Sequence, residues 1–263
     1  MENRTIGDYM QVARDYYASA DKPPGRVVFA SLSGSHLFGF PSPDSDFDVR
    51  GCWLTETRLL HGLRFPSETF ESSTNTPKRS DDGGLDLVLH EARKFFNLVL
   101  RNGNAIEQIH SPLVLESSDE HALLKKISLR CITRHHASHY LGFADQQRVF
   151  FERRKALEVK PLLYTVRILL TGRRLLETGT VESDIRVLNE TAHLPYVDEL
   201  IERKLQGGER AVLTENHLSF YSSEIDKLRV DLERLAHDRR LPDEAPARSE
   251  LEELLVGMRG ASR

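Results

Sequence analysis

Cysteine is scarce in this chain of 263 residues: Cys52 and Cys131 stand alone and far apart. That excludes a disulfide framework and a cysteine-built zinc site, which need paired or closely clustered ligands. The two thiols are expected as buried side chains in a reducing cytoplasm. No apolar run approaches the roughly 18 residues that a membrane-spanning helix requires. The stretch from Met1 to Asp8 has no apolar signal core, so a cytoplasmic location and no membrane contact are expected. The glycine patterns of dinucleotide-binding turns and of P-loops are missing, as is the nucleophile elbow of serine hydrolases. Excess basic charge is lacking too. With 36 Lys and Arg against 40 Asp and Glu, the net charge is −4. Contact with a polyanion must therefore come from a local patch.

What is present begins with ordinary globular composition, 39% hydrophobic and 29% charged. The informative feature is Ser33-Gly34-Ser35, followed after a spacer of about ten residues by Asp46-Phe47-Asp48. A Ser/Gly turn lets backbone N–H groups approach phosphate oxygens closely, and Ser33 and Ser35 add hydroxyl donors. Two carboxylates in a D-x-D pair suit hard divalent cations. The run from Arg26 to Leu32 reads as a buried strand, which places the turn at a strand end. Asp46 to Trp53 reads as a second strand. Residues two apart on a strand share a face, so Asp46 and Asp48 point one way while Phe47 and Val49 point to the core. Arg50 shares the acids' face, where it either meets phosphate or pairs with Asp48.

Along the rest of the chain, Ile6 to Ala20 reads as a helix and Ser35 to Phe40 as a short helical turn. Residues 54 to 84 read as irregular, with Glu71 to Gly84 a polar loop or mobile lid. Leu85 to His90 is a third strand with Asp86 at its start, and His90 to Arg101 an amphipathic helix closed by Asn102-Gly103. Asn104 to His110 begins a further short helix. Beyond Ser118 nearly everything has helical period, in segments near 119–150, 155–178, 195–206, 215–238 and 248–258. The expected fold class is α+β: a mixed sheet with flanking helices over residues 1–115, then a C-terminal helical bundle over 116–263.

The motifs Gly34 to Gly39, Asp44 to Gly51, Asn102 to Glu107 and Lys160 to Arg167 together resemble the polymerase-beta nucleotidyltransferase superfamily. Within it, the pattern is closest to the YcgL-like group associated with RNA ligases. The resemblance implies a two-metal enzyme using Mg²⁺ or Mn²⁺, which moves a nucleoside monophosphate from a nucleoside triphosphate to a hydroxyl and releases pyrophosphate. RNA or tRNA ends are the partners the group name suggests, in RNA repair. Two ions need more than one carboxylate each, so a third acid is expected. Asp86, on a strand able to pair beside Asp46 and Asp48, is the first choice; Glu91, on the following helix, is the weaker one. Ser33, Gly34 and Ser35 would cradle the β- and γ-phosphates.

Lys160, Tyr164 and Arg167 lie on one helical stripe. By the resemblance that stripe faces the nucleotide: Lys160 meets phosphate, Tyr164 stacks on the base, and Arg167 fixes the stripe or binds phosphate. A core tyrosine flanked by solvated cations is the competing reading. Asn104 and Glu107 read as a buried structural pair, His135 and His139 as a polar helix face, and Arg153-Arg154-Lys155 as a solvated surface. Two other functions stay open, a catalytically silent nucleotide-binding sensor and a toxin-like modifier of tRNA or protein.

Overall fold

The structure, a computed structural model, describes residues 6–63, 66–73, 83–153, 157–207, 212–213, 218–238 and 241–261. The first part of the chain runs α1 (Ile6–Ser19), β1 (Gly25–Leu32), α2 (Gly34–Leu37), β2 (Phe47–Thr55), α3 (Thr57–Leu60), β3 (Thr69–Ser73), β4 (Leu85–Glu91), α4 (Ala92–Val99), α5 (Gly103–His110) and β5 (Val114–Ser117). Helices then dominate: α6 (Asp119–Leu129), α7 (His136–Arg153), α8 (Val159–Thr178), α9 (Ile185–Ala192), α10 (Tyr196–Gly207), α11 (Leu218–Ala236) and α12 (Arg248–Ala261). Two short strands, β6 (Leu157–Glu158) and β7 (Val212–Leu213), pair with each other.

The main sheet has the order β3-β4-β2-β1-β5. β2 and β4 run parallel and the other neighbours antiparallel, so the sheet is mixed and the fold α+β. Alternation along the strands decides which side chains go where. Leu85, Leu87 and Leu89 of β4 are buried while Asp86, Val88 and His90 are only partly so. On one sheet face, Phe47, Val49, Trp53 and the β4 leucines pack under Met10, Ala13 and Tyr17 of α1. On the other, Val28, Phe29, Cys52 and Leu54 join a core that runs through α4, α5, α7, α8, α10 and α11 to α12 without a break. The boundary expected near residue 115 falls inside β5, and this second core extends across it.

Local signals explain most element ends. Glu91, Asn102, Ser118 and Asp184 cap their helices by accepting a backbone N–H two or three residues on. Gly179, at φ +68, closes α8. Residues 54 to 84 are more ordered than the sequence suggests: β2 continues to Thr55, α3 follows, and β3 adds an edge strand on β4. Much of the expected lid, 74–82, lies outside the described residues, as do 154–156 at the start of an expected helix and in the basic surface. The helix expected over 119–150 is two helices, α6 and α7, and α9 and β5 are additions. Cys52 and Cys131 are both buried free thiols.

Burial sets the acid limit of this fold. His36, His90, His110 and His139 are each pushed down to about 4, mainly by burial and then by a neighbouring cation, Lys204, Lys94, Lys125 and Arg167 respectively. An unfolded histidine titrates near 6.5, so between about 6.5 and 4 the unfolded chain binds more protons than the folded one. Stability is therefore complete above the unfolded value and falls as pH drops through this window. The Asp48 carboxyl, raised by burial, works in the opposite sense, but it is one group against four. Urea midpoints measured from pH 7 to 4 should decline steadily; a flat profile would show that these rings are not buried neutral.

Candidate active site

Parallel pairing of β2 with β4 places Asp48 opposite Asp86 in register. Arg50, two residues on and on the same face, bridges them: its Nη2 donates to Asp48 Oδ1 at 3.1 Å and to Asp86 Oδ2 at 2.7 Å. Its Nη1 donates to the backbone oxygens of Asp86 at 2.7 Å and Val49 at 3.0 Å. Of the two roles open to Arg50, the ion pair is the one the geometry displays, and it reaches both acids. Asp46 precedes β2, and its Oδ1 accepts the Gly84 N–H at 2.7 Å. That bond turns Asp46 toward the start of β4. Among the described residues, no three His, Cys, Asp or Glu side chains already converge on one cation position.

The Ser33–Ser35 turn is built against the same acids. The Ser33 N–H donates to the Asp48 carbonyl at 2.8 Å, and Gly34 has φ +61. A Cβ on Gly34 would fall onto Asp48 Oδ2, so only glycine lets the turn come this close. Ser33 is the N-cap of α2, and its hydroxyl makes no capping bond. Beside the turn, the His36 ring stacks on Phe47 with centroids 4.8 Å apart.

The Asp48 carboxyl is held above its ordinary value. Burial is the chief cause; Arg50 and Lys160 oppose it, and Asp86 and Asp46 add to it. An all-oxygen donor set with negative charge in excess suits a hard divalent cation in kind and in sign. The residues present therefore fit such an ion, with Asp48 and Asp86 as the paired donors and Asp46 the neighbouring one.

The expected helical stripe divides. Lys160 brings its charge to bear on Asp48, with Nζ 5.9 Å from the Tyr164 ring. Tyr164 instead packs edge-on against Phe38 and Phe40, at 5.4 and 5.5 Å between centroids. Arg167 is taken up in a buried ion pair. Its side chain is 2% exposed and paired with Glu107, itself 1% exposed. The guanidinium lies 3.7 Å from the Phe38 ring centroid, and Ser183 Oγ donates to Glu107 at 3.0 Å. The reason is chemical: a buried carboxylate on α5 needs a cation, and Arg167 supplies it. Glu107 pairs with Arg167 rather than with Asn104, whose N–H is held by Asn102 Oδ1 at 2.9 Å. Glu91, the alternative third acid, is fully buried, caps α4 through the Arg93 N–H at 2.8 Å and accepts from Arg259 Nη2 at 3.0 Å. His136, between the two histidines singled out in the sequence, is buried and bonded to the Val99 carbonyl at 3.1 Å.

A glycine turn held against strand carboxylates in this α+β frame resembles the polymerase-beta type of nucleotidyltransferase. The chain is a member of the RlaP family, described as the RNA repair pathway DNA polymerase beta family, whose model matches residues 2–257. It is similar to the uncharacterized protein MJ0002 of Methanocaldococcus jannaschii, at 33% identity over 158 residues. That match takes in 60% of this chain and 63% of the relative, so the chain spans less than two thirds of the relative's length. Similarity to the uncharacterized protein YcgL of Bacillus subtilis is 26% over 219 residues, covering 80% of this chain and 78% of that one. Among solved structures, a nucleotidyltransferase-like protein from Exiguobacterium sibiricum aligns over 88% of this chain and 74% of its own, with 17% identity and a TM-score of 0.30.

Arg167 offers a direct check on this division of roles. Arg167→Met leaves the buried Glu107 carboxylate unpaired and should cost about 3–5 kcal/mol of unfolding free energy. Nucleotide affinity per folded molecule should not change. Unaltered stability with lost nucleotide binding would return Arg167 to the phosphate site.

Proposed function

We propose that this chain transfers a nucleoside monophosphate from a nucleoside triphosphate to a hydroxyl group, with an RNA end as acceptor. The observation that carries the reading is the in-register pair Asp48 and Asp86, with Asp46 beside them, facing a turn that only glycine can form. Membership of a family described by RNA repair supports the choice of acceptor. In the reaction, the acceptor oxygen bonds to the α-phosphorus and the bond from that phosphorus to the bridging β-oxygen breaks. Pyrophosphate leaves with the electron pair.

The amides of Gly34 and Ser35, with the Ser33 and Ser35 hydroxyls, hold the β- and γ-phosphates, and Lys160 adds positive charge at the acid face. Asp46, Asp48 and Asp86 would hold Mg²⁺ or Mn²⁺. Bound there, such ions supply charge neutralisation at the entering and leaving oxygens. Asp86, half-exposed beside Asp48, would receive the proton of the attacking hydroxyl. Arg50 keeps the two carboxylates aligned and relieves their mutual repulsion.

The test is transfer of α-labelled nucleotide, with each of the four triphosphates, Mg²⁺ or Mn²⁺, and defined RNA or tRNA ends as acceptors. Label should move to RNA, and Asp48→Asn should reduce transfer by roughly 100-fold or more, since even loss of a group that merely supports a metal ligand costs 10–100-fold. Label on protein alone would overturn the RNA acceptor. Nucleotide binding without transfer to any acceptor would favour the sensor.

A further inference from the structure

Lys204 is a lysine with no exposed surface, on the buried stripe of α10 with Val197, Leu200 and Ile201. Taking an ammonium group out of water is costly, and such a group persists where polar partners receive it. Its Nζ donates to Ser42 Oγ at 2.8 Å. Ser42 belongs to a closed hydroxyl turn: its Oγ lies 3.0 Å from Ser45 Oγ, its N–H donates to Ser45 Oγ at 3.0 Å, and the Ser45 N–H returns to the Ser42 carbonyl at 2.9 Å. Asp46 is the next residue.

The neighbouring helix grips the same stretch one turn earlier. The Ile185 N–H donates to the Phe38 carbonyl at 3.1 Å and Arg186 Nε to the Gly39 carbonyl at 2.9 Å. Those two oxygens lie at the C-terminal end of α2, where the helix itself offers no partner. Asp184, which caps α9, fills the space that a Cβ on Gly39 would take. The segment from Phe38 to Ser45, which joins the phosphate turn to Asp46, is thus held from outside by α9 and α10. The Lys204 charge reaches His36 as well, where it is one of the causes of the depressed ring.

We propose that Lys204 is a positioning residue for the active site: its buried ammonium fixes the Ser42–Ser45 turn and so sets where Asp46 stands relative to Asp48 and the Ser33–Ser35 turn. This assigns α10 a part in the site through the chain it holds rather than through contact with substrate. It rests on the nucleotidyltransferase reading only for its consequence, not for its geometry.

The test compares wild type with Lys204→Met, which keeps length and apolar stem without charge, and with Ser42→Ala, which removes the receiving hydroxyl. Hydrogen exchange read by mass spectrometry reports on the segment, and calorimetry with Mn²⁺ and a non-hydrolysable triphosphate reports on the site. Exchange of amides between Gly39 and Phe47 should accelerate at least tenfold in Lys204→Met and less in Ser42→Ala, while β1 and α11 stay protected. The triphosphate should bind about tenfold more weakly to Lys204→Met. Unchanged exchange in that segment, or uniform acceleration along the chain, would overturn the proposal, and the smaller Ser42→Ala change decides it where Lys204→Met does not fold. If wild type binds no triphosphate, the nucleotidyltransferase reading fails and the exchange data still decide the role of Lys204.

Discussion

Parallel pairing between β2 and β4 is the constraint on which the candidate site depends. Because the two strands run the same way with Phe47 beside Leu85, Asp48 and Asp86 lie opposite one another on one face. A one-residue slip would turn Asp86 into the α1-covered core and bring a leucine to the acid face. The buried leucines of β4 oppose that slip, so apolar packing under α1 fixes the position of the carboxylates on the other side. Burial holds the Asp48 carboxyl above its ordinary value, and the neighbouring Asp86 charge adds to that. Arg50 answers with a guanidinium whose planar fork reaches both acids and two backbone oxygens at once, a geometry that lysine could not reproduce.

Apart from the Lys160 charge on α8, the helices that follow the sheet bear on the site through contacts. α8 sends Tyr164 and Arg167 against Phe38, and α5 supplies Glu107 to meet Arg167. α9 and α10 hold the carbonyls and hydroxyls of the chain between α2 and Asp46. α12 reaches the far end of β4, where Arg259 meets the buried Glu91. One continuous core links these helices to the sheet, so the Ser33–Ser35 turn and the acids are supported by residues far away in sequence.

Where residues carry their own pattern, the sequence was readable. Alternation over the first half of β2 and along β4 made both strands plain, and with them the shared face of Asp48 and Arg50, whereas the register that sets Asp86 opposite Asp48 comes from the strand pairing. The Ser33-Gly34-Ser35 turn announced itself through glycine. β3, by contrast, is Thr69-Phe-Glu-Ser-Ser73, an edge strand with little apolar content, and its ladder with β4 rather than its own residues makes it a strand. Helical spacing put Arg167 on a stripe, and the resemblance alone turned that stripe to the nucleotide, with Arg167 either fixing it or binding phosphate; its partner Glu107 is sixty positions away. Lys204 left a signal that went unused, a charged residue at the helical repeat of Val197, Leu200 and Ile201. Such a lysine either ends an apolar stripe at the surface or is buried with partners, and only the fold distinguishes the two.

The most direct test of the account is a crystal structure with Mn²⁺ and a non-hydrolysable triphosphate, with the metal located by its anomalous scattering. The account predicts manganese held by Asp48 and Asp86 with Asp46 turned toward it from Gly84, and phosphate oxygens on the amides of Gly34 and Ser35. Manganese bound elsewhere, or triphosphate seated away from the Ser33–Ser35 turn while Arg50 still bridges the two acids, would contradict it.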